Sequence, residues 1–245
     1  MSAVAVEKRP PWMIRTRSIH FVILVAAFAI FTAIVVSGAT AGGDDAAARY
    51  FKEAQGGNPT LDTFMIVVTS FGDVSTLFIF GIIITIIRRT RKVGMIFLIA
   101  IVAIAVSITY IKPAIGREAP PYGFMPTTEL PENFSLENDS LAPFAAAFSY
   151  PSGHASRAAA LAFIVGFALY KKSKTAGYAI WIFPVIIGIT RLYVMQHYPT
   201  DVIGGFLYGS IIGVLLSNAM KLDQPFVISR FKGKENKSPP HLTRR

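Results

Sequence analysis

Six apolar stretches, several at the short end of the ~20 residues a helix needs to cross a bilayer, divide this chain and leave few folds open to it. They run from about Phe21 to Val36, Phe64 to Ile87, Val93 to Ile111, Ala155 to Tyr170, Gly177 to Thr190 and Val202 to Met220. The second is interrupted at Gly72-Asp73. Hydrophobic residues make up 53% of the 245 and charged residues only 16%, which departs from the average soluble domain. In lipid every backbone polar group must be satisfied within the fold. The expected class is therefore an all-α membrane protein with six transmembrane helices in one bundle.

The formal net charge is +10, but the basic residues are clustered. Lys8, Arg9, Arg15 and Arg17 precede the first span; Arg88, Arg89, Arg91 and Lys92 join the second to the third; Lys171, Lys172 and Lys174 join the fourth to the fifth; a basic tail follows the sixth. The intervening loops carry Asp44, Asp45, Glu129, Glu132, Glu137 and Asp139. Lys/Arg excess marks cytoplasmic segments, so both termini are expected in the cytoplasm and the other loops outside. Orientation accounts for the charge without a nucleic-acid partner. The expected organisation is a cytoplasmic N-terminal segment (1–20), a six-helix domain (21–220) and a basic cytoplasmic tail (221–245). A competing reading takes Ala39-Thr40-Ala41 as a signal-peptide cleavage site, which removes the first span and leaves the sidedness of the other loops unchanged. The chain has no cysteine, which excludes disulfides, thiolate metal sites and a cysteine nucleophile.

Three polar clusters lie at span boundaries on the outer side. The first opens the loop from Lys112 to Tyr150: Lys112 and Arg117 stand there against the orientation bias, among Pro113, Pro120 and Pro121. Pro151-Ser152-Gly153-His154 immediately precedes the fourth span, and a helix N-terminus with its unpaired N–H groups binds phosphate. An ordinary helix cap at Ser152 is the simpler alternative. In the third cluster Arg191 offers a fork suited to phosphate oxygens, and His197 and Asp201 share a face if the local chain is helical. A carboxylate on one imidazole nitrogen leaves the other free to attack; a structural pair between helix ends is the alternative. The segment Thr127 to Ser140 reads as a solvated acidic loop, with a lid over the site as the alternative.

These residues resemble the three blocks of the type 2 phosphatidic acid phosphatase family, which also includes vanadium haloperoxidases: Lys-x6-Arg-Pro, then Pro-Ser-Gly-His, then Ser-Arg-x5-His-x3-Asp. The second block is complete at 151–154, and the third runs Arg191, His197, Asp201 with Thr190 in place of Ser. The resemblance covers roughly Leu61 to Leu216 and implies an integral-membrane lipid phosphatase with its site at the extracytoplasmic boundary. It implies that His197 attacks phosphorus to form a phosphohistidine, that Asp201 orients it, and that His154 protonates the leaving oxygen. Lys112, Ser152, the Gly153 amide and Arg191 would hold the phosphoryl oxygens, with no metal and no cofactor. The implied substrate is a membrane lipid phosphate, with polyprenyl pyrophosphate favoured over phosphatidylglycerol phosphate or phosphatidic acid.

One position departs from the pattern. Six residues after Lys112 the chain carries Ala119 where the family has Arg. Arg117 lies two positions earlier, and spacing does not decide whether it replaces the missing guanidinium. The departure leaves open a lipid-binding or scaffold protein that has lost catalysis, against which the intact His197 and Asp201 weigh. A transporter with Asp73 as coupling residue is a further alternative, and a polar contact between helices is the plainer account of Asp73.

Overall fold

The computed structural model describes residues 9–127, 129–130 and 134–224. Residues 1–8 of the expected N-terminal segment and 225–245 of the expected tail lie outside these, as do Lys8 and Glu132. The described residues form nine α-helices and one 3-10 turn at Pro143–Ala145. The helices are α1 (Ile19–Val36), α2 (Ala41–Ala54), α3 (Pro59–Ser70), α4 (Val74–Ile86), α5 (Arg91–Ile115), α6 (Gly153–Lys172), α7 (Lys174–Ala179), α8 (Ile182–Tyr193) and α9 (Pro199–Ala219). Five stretches are long and apolar enough to cross a membrane, with α7 and α8 counted together, and six if α3 and α4 form one broken span. The bend between α3 and α4 is 53° and falls at the Gly72-Asp73 interruption. The chain is a multi-pass membrane protein.

Local signals set the boundaries. Asn58 caps α3 through its side chain, with Pro59 in the first turn, where its missing N–H is no loss. α5 ends at Gly116, whose φ of 73° is the left-handed conformation that glycine adopts without strain. Pro199 opens α9 in the same way as Pro59 opens α3. α2 differs from the sequence expectation of a loop: Ala41-Gly-Gly-Asp-Asp has little apolar character, and the helix is held by tertiary contacts through Asp44.

α6 is the centre of the bundle. It is buried from Gly153 through Ile164 and packs through Leu161, Phe163 and Ile164 against Ile96, Phe97, Ile101 and Ile104 of α5. Ile19, Val22 and Ile23 of α1 and Ile79, Ile83 and Ile86 of α4 face outward, as hydrocarbon solvent allows. Three glycines of α9, spaced four apart at 205, 209 and 213, bring its backbone against α6. A Cβ on Gly209 would lie 2.1 Å from the Ser156 carbonyl oxygen, and one on Gly205 2.6 Å from that of Ser152. Small residues in such a row permit close approach of membrane helices.

The basic clusters converge at one end. Lys92 Nζ donates to the Lys221 and Gln224 carbonyls at 2.7 and 2.9 Å, Arg9 pairs with Asp223 at 2.5 Å, and Arg88, Arg89, Lys171 and Lys172 line the same cavity. Lys112 in the last turn of α5 and Gly153 at the start of α6 lie at the opposite end.

Candidate active site

The start of α6 is built to hold an anion. Ser152 caps the helix, its Oγ accepting from the Ala155 N–H at 3.4 Å. That leaves neighbouring first-turn amides free to point at a ligand. They point at Asp139: the Gly153 N–H donates to Oδ2 at 2.6 Å and the His154 N–H to Oδ1 at 2.9 Å. Glycine is required at 153, because a Cβ there would lie 2.8 Å from both Cβ and Cγ of Asp139. The Ser152 hydroxyl is 3.5 Å from Oδ2, and Lys112 Nζ reaches within 3.9 Å. His154 Nδ1 hydrogen-bonds Oδ1, and Arg157 Nη2 lies 3.4 Å from the same oxygen.

This corrects the expectation for the loop from Thr127 to Ser140. Among its described residues Asp139 is 2% exposed. Burial alone would push its carboxyl up, but the His154 and His197 imidazoles and the Lys112 ammonium outweigh it and hold the group well below the usual carboxylate range.

His197 closes the ring of groups around Asp139. It lies outside any helix, in the turn between α8 and α9, so the shared helical face expected for His197 and Asp201 is not what joins them. Asp201 is instead the third residue of α9 and folds back, Oδ2 accepting from the Tyr198 N–H at 2.8 Å. His197 Nδ1 lies 3.6 Å from Oδ2 of Asp201 and Nε2 lies 2.6 Å from Oδ2 of Asp139.

Arg117 faces the other side of Asp201. Its Nη1 donates to Asp201 Oδ1 at 2.7 Å and to Thr200 Oγ1 at 2.5 Å, and its Nη2 donates to Asp44 Oδ2 at 2.6 Å. The guanidinium lies 4.5 Å above the Tyr198 ring. Arg117 therefore braces Asp201 and ties it to Asp44. Ala119 itself joins the loop to residue 147 through its backbone N–H, 3.1 Å from the Ala147 carbonyl.

Arg191, fully buried, is an expected phosphate ligand that makes no hydrogen bond to Asp139 among the described residues. Its Nη2 donates to the Glu137 carbonyl at 3.0 Å and its Nη1 to Thr69 Oγ1 at 3.3 Å. Arg157, also buried, donates to the Gly72 carbonyl at 3.1 Å and to Glu137 Oε1 at 2.8 Å. Asp73, the cap residue of α4, sets its Oδ1 2.8 Å from His154 Nε2. Asp73, Glu137 and His154 place their donor atoms within 4.8 Å of one another, a spacing that suits a metal ion. In this arrangement those atoms bond to each other and to Arg157 and Val74.

All seven sequence-selected residues lie at this end of the bundle. The residues missed were Asp44, Glu137, Asp139 and Arg157. Arg157, three residues after His154, lies one helical turn further along α6 and was open to discovery by spacing; the three acids carry no signal apart from their buried environment.

The model of the PAP2 superfamily matches residues 91–225. Undecaprenyl-diphosphatase BcrC of Bacillus subtilis is 35% identical over 88 residues, 36% of this chain and 44% of that protein. The chain thus spans less than half the length of that relative. An undecaprenyl-diphosphatase of Sulfolobus acidocaldarius is 29% identical over 160 residues, 64% of this chain and 69% of the relative. A crystal structure of a transmembrane PAP2 type phosphatidylglycerolphosphate phosphatase from Bacillus subtilis superposes with a TM-score of 0.67 at 24% identity, over 84% of this chain and 98% of the other. That likeness shows the shared fold.

Proposed function

This chain belongs to the PAP2 superfamily, and on that premise we propose that it hydrolyses the phosphate or diphosphate group of a membrane lipid at the outer face of the membrane. The observation that carries the reading is the gathering of Lys112, Ser152, the Gly153 amide, His154 and His197 around one buried anionic centre. Charge-assisted donors fixed in a water-poor site stabilise charge that develops on phosphoryl oxygens.

In this reading His197 Nε2 attacks phosphorus, forming a P–N bond as the P–O bond to the lipid breaks. His154 gives a proton to the departing oxygen. Water then attacks the phosphohistidine, its proton passes to His154, and inorganic phosphate leaves. Asp201 supports the imidazole through Nδ1, and Lys112, Ser152, the Gly153 amide and Arg191 hold the oxygens. No step is assigned to a metal. The outward orientation rests on the Lys/Arg asymmetry between the two ends. A polyprenyl diphosphate is the favoured substrate, because two relatives bear the name undecaprenyl-diphosphatase.

The test is phosphate release in EDTA by the wild type and His197→Ala, with farnesyl diphosphate, phosphatidylglycerol phosphate and phosphatidic acid in parallel. The proposal expects release by the wild type, none by the variant, and preference for the diphosphate. Release by neither protein from any lipid would favour a lipid-binding member that has lost catalysis, with Ala119 the first suspect.

A further inference from the structure

Resting on the phosphatase reading, we propose that Asp139 is an internal occupant of the phosphoryl site. Its carboxylate lies where a substrate's phosphoryl group binds, and the substrate displaces it. Asp139 thereby sets the affinity of the site for its substrates.

The donors make the case. Lys112, Ser152, the Gly153 amide, His154 and His197, the residues of the three motif blocks, all surround the Asp139 carboxylate. A carboxylate offers about four lone-pair positions; the Gly153 and His154 amides and His154 Nδ1 hydrogen-bond to three of them, and His197 Nε2 lies 2.6 Å from Oδ2. The site is thus filled by a group of the same charge sign and the same acceptor chemistry as its ligand.

The nucleophile makes the case more sharply. His197 Nε2 is 2.6 Å from Asp139 Oδ2, while His197 Nδ1 stands 3.6 Å from Asp201 and finds no hydrogen-bond partner among the described residues. A reacting phosphorus must come within about 3–3.5 Å of the attacking nitrogen, and Asp139 fills that approach. Catalysis requires the opposite arrangement, with Nε2 free and Nδ1 held.

The surrounding contacts define what displacement of Asp139 must break. Glu137 accepts from Arg157 through Oε1, from the Val74 N–H at 2.7 Å through Oε2, and from Arg191 through its carbonyl. Leu141 N–H donates to Thr109 Oγ1 at 3.0 Å. Withdrawal of residues 137–139 vacates the donor ring and frees Arg191 to reach phosphoryl oxygens. The exchange replaces one negative charge with two or more beside Lys112, Arg157 and Arg191, so it favours the more highly charged headgroup. Diphosphates displace Asp139 better than monoesters.

The experiment uses the full chain in detergent or nanodiscs, as wild type, Asp139→Asn and Asp139→Ala. Inorganic phosphate binding is read from the rise in melting temperature with phosphate concentration, and kcat and KM are read with the lipid substrate. An internal competitor lowers apparent affinity by the fraction of molecules it vacates. The variants are therefore expected to bind phosphate on the order of tenfold more tightly than the wild type, with KM lowered and kcat not reduced. A variant too unstable to purify alone is expected to be rescued by phosphate at concentrations that leave the wild-type melting temperature unchanged. Unchanged or weaker phosphate binding in a cooperatively melting variant, lack of rescue, or a fall in kcat at constant KM overturns the proposal. A wild type that hydrolyses no lipid, beside variants that bind phosphate more tightly, sinks the phosphatase reading and leaves this inference standing.

Discussion

Arg117 and Asp201 are joined at 2.7 Å, Nη1 to Oδ1, while the other oxygen of the same carboxylate faces His197. The residue that sequence spacing left open as a replacement phosphate ligand is thus a brace for Asp201, the residue proposed to support His197. Arg117→Ala is expected to lower kcat on the order of 10²-fold, the loss typical of a misplaced catalytic group, with KM little changed. Arg117→Lys, which keeps the charge but loses the fork, should recover part of it. A rise in KM at constant kcat would instead mean that Arg117 binds phosphate.

Asp73 holds His154 from the side away from Asp139, Oδ1 to Nε2 at 2.8 Å. If His154 delivers the leaving-group proton, Asp73→Asn should reduce kcat and move the pH–rate profile while KM stays near its wild-type value. A profile that keeps its shape and only scales down in height would assign Asp73 a structural part at the break between α3 and α4.

Helix α9 carries Asp201 and lies against the helix that carries His154, with Gly209 at the closest approach. Leucine at 209 meets the Ser156 backbone, which cannot rotate away, and overpacking of this kind costs about 1–3 kcal/mol. Gly209→Leu should therefore lower the melting temperature and the activity together. An unchanged melting temperature would show that the two helices are not pressed together there.

Acid stability follows from Asp139. Its folded-state carboxyl titrates well below the usual range, so on acidification the unfolded chain takes up the proton first, near its ordinary value of about 3.9. The stability from this group is complete above that pH and is lost as pH falls toward the folded-state value. Melting temperatures measured from pH 7 to pH 3 should drop below about pH 4 in the wild type, and Asp139→Asn should flatten that limb. Parallel curves would mean that other carboxylates set the acid limit.

The spans were legible because a bilayer demands length and apolar composition, and both can be counted. The three motif clusters were legible because Lys112, His154, Arg191 and His197 are polar residues placed where polar residues are unfavourable. The spacing of His197 and Asp201 puts them on one face only where the chain is helical, and His197 precedes the helix whose first turn holds Asp201. Asp44 and Asp139 were hidden for a different reason. Each sits in a stretch that looks solvated when read alone, and its burial depends on partners supplied from far along the chain: Arg117 for Asp44, and Lys112 with His197 for Asp139.

The central claim is that His197 becomes covalently phosphorylated, and the direct measurement is rapid alkaline quenching of the full-length protein with lipid substrate carrying a labelled phosphoryl group. The account predicts an alkali-stable, acid-labile label that maps to the peptide containing His197 and is absent from His197→Ala. Substrate turnover without any such label, or a label on another residue, would contradict it.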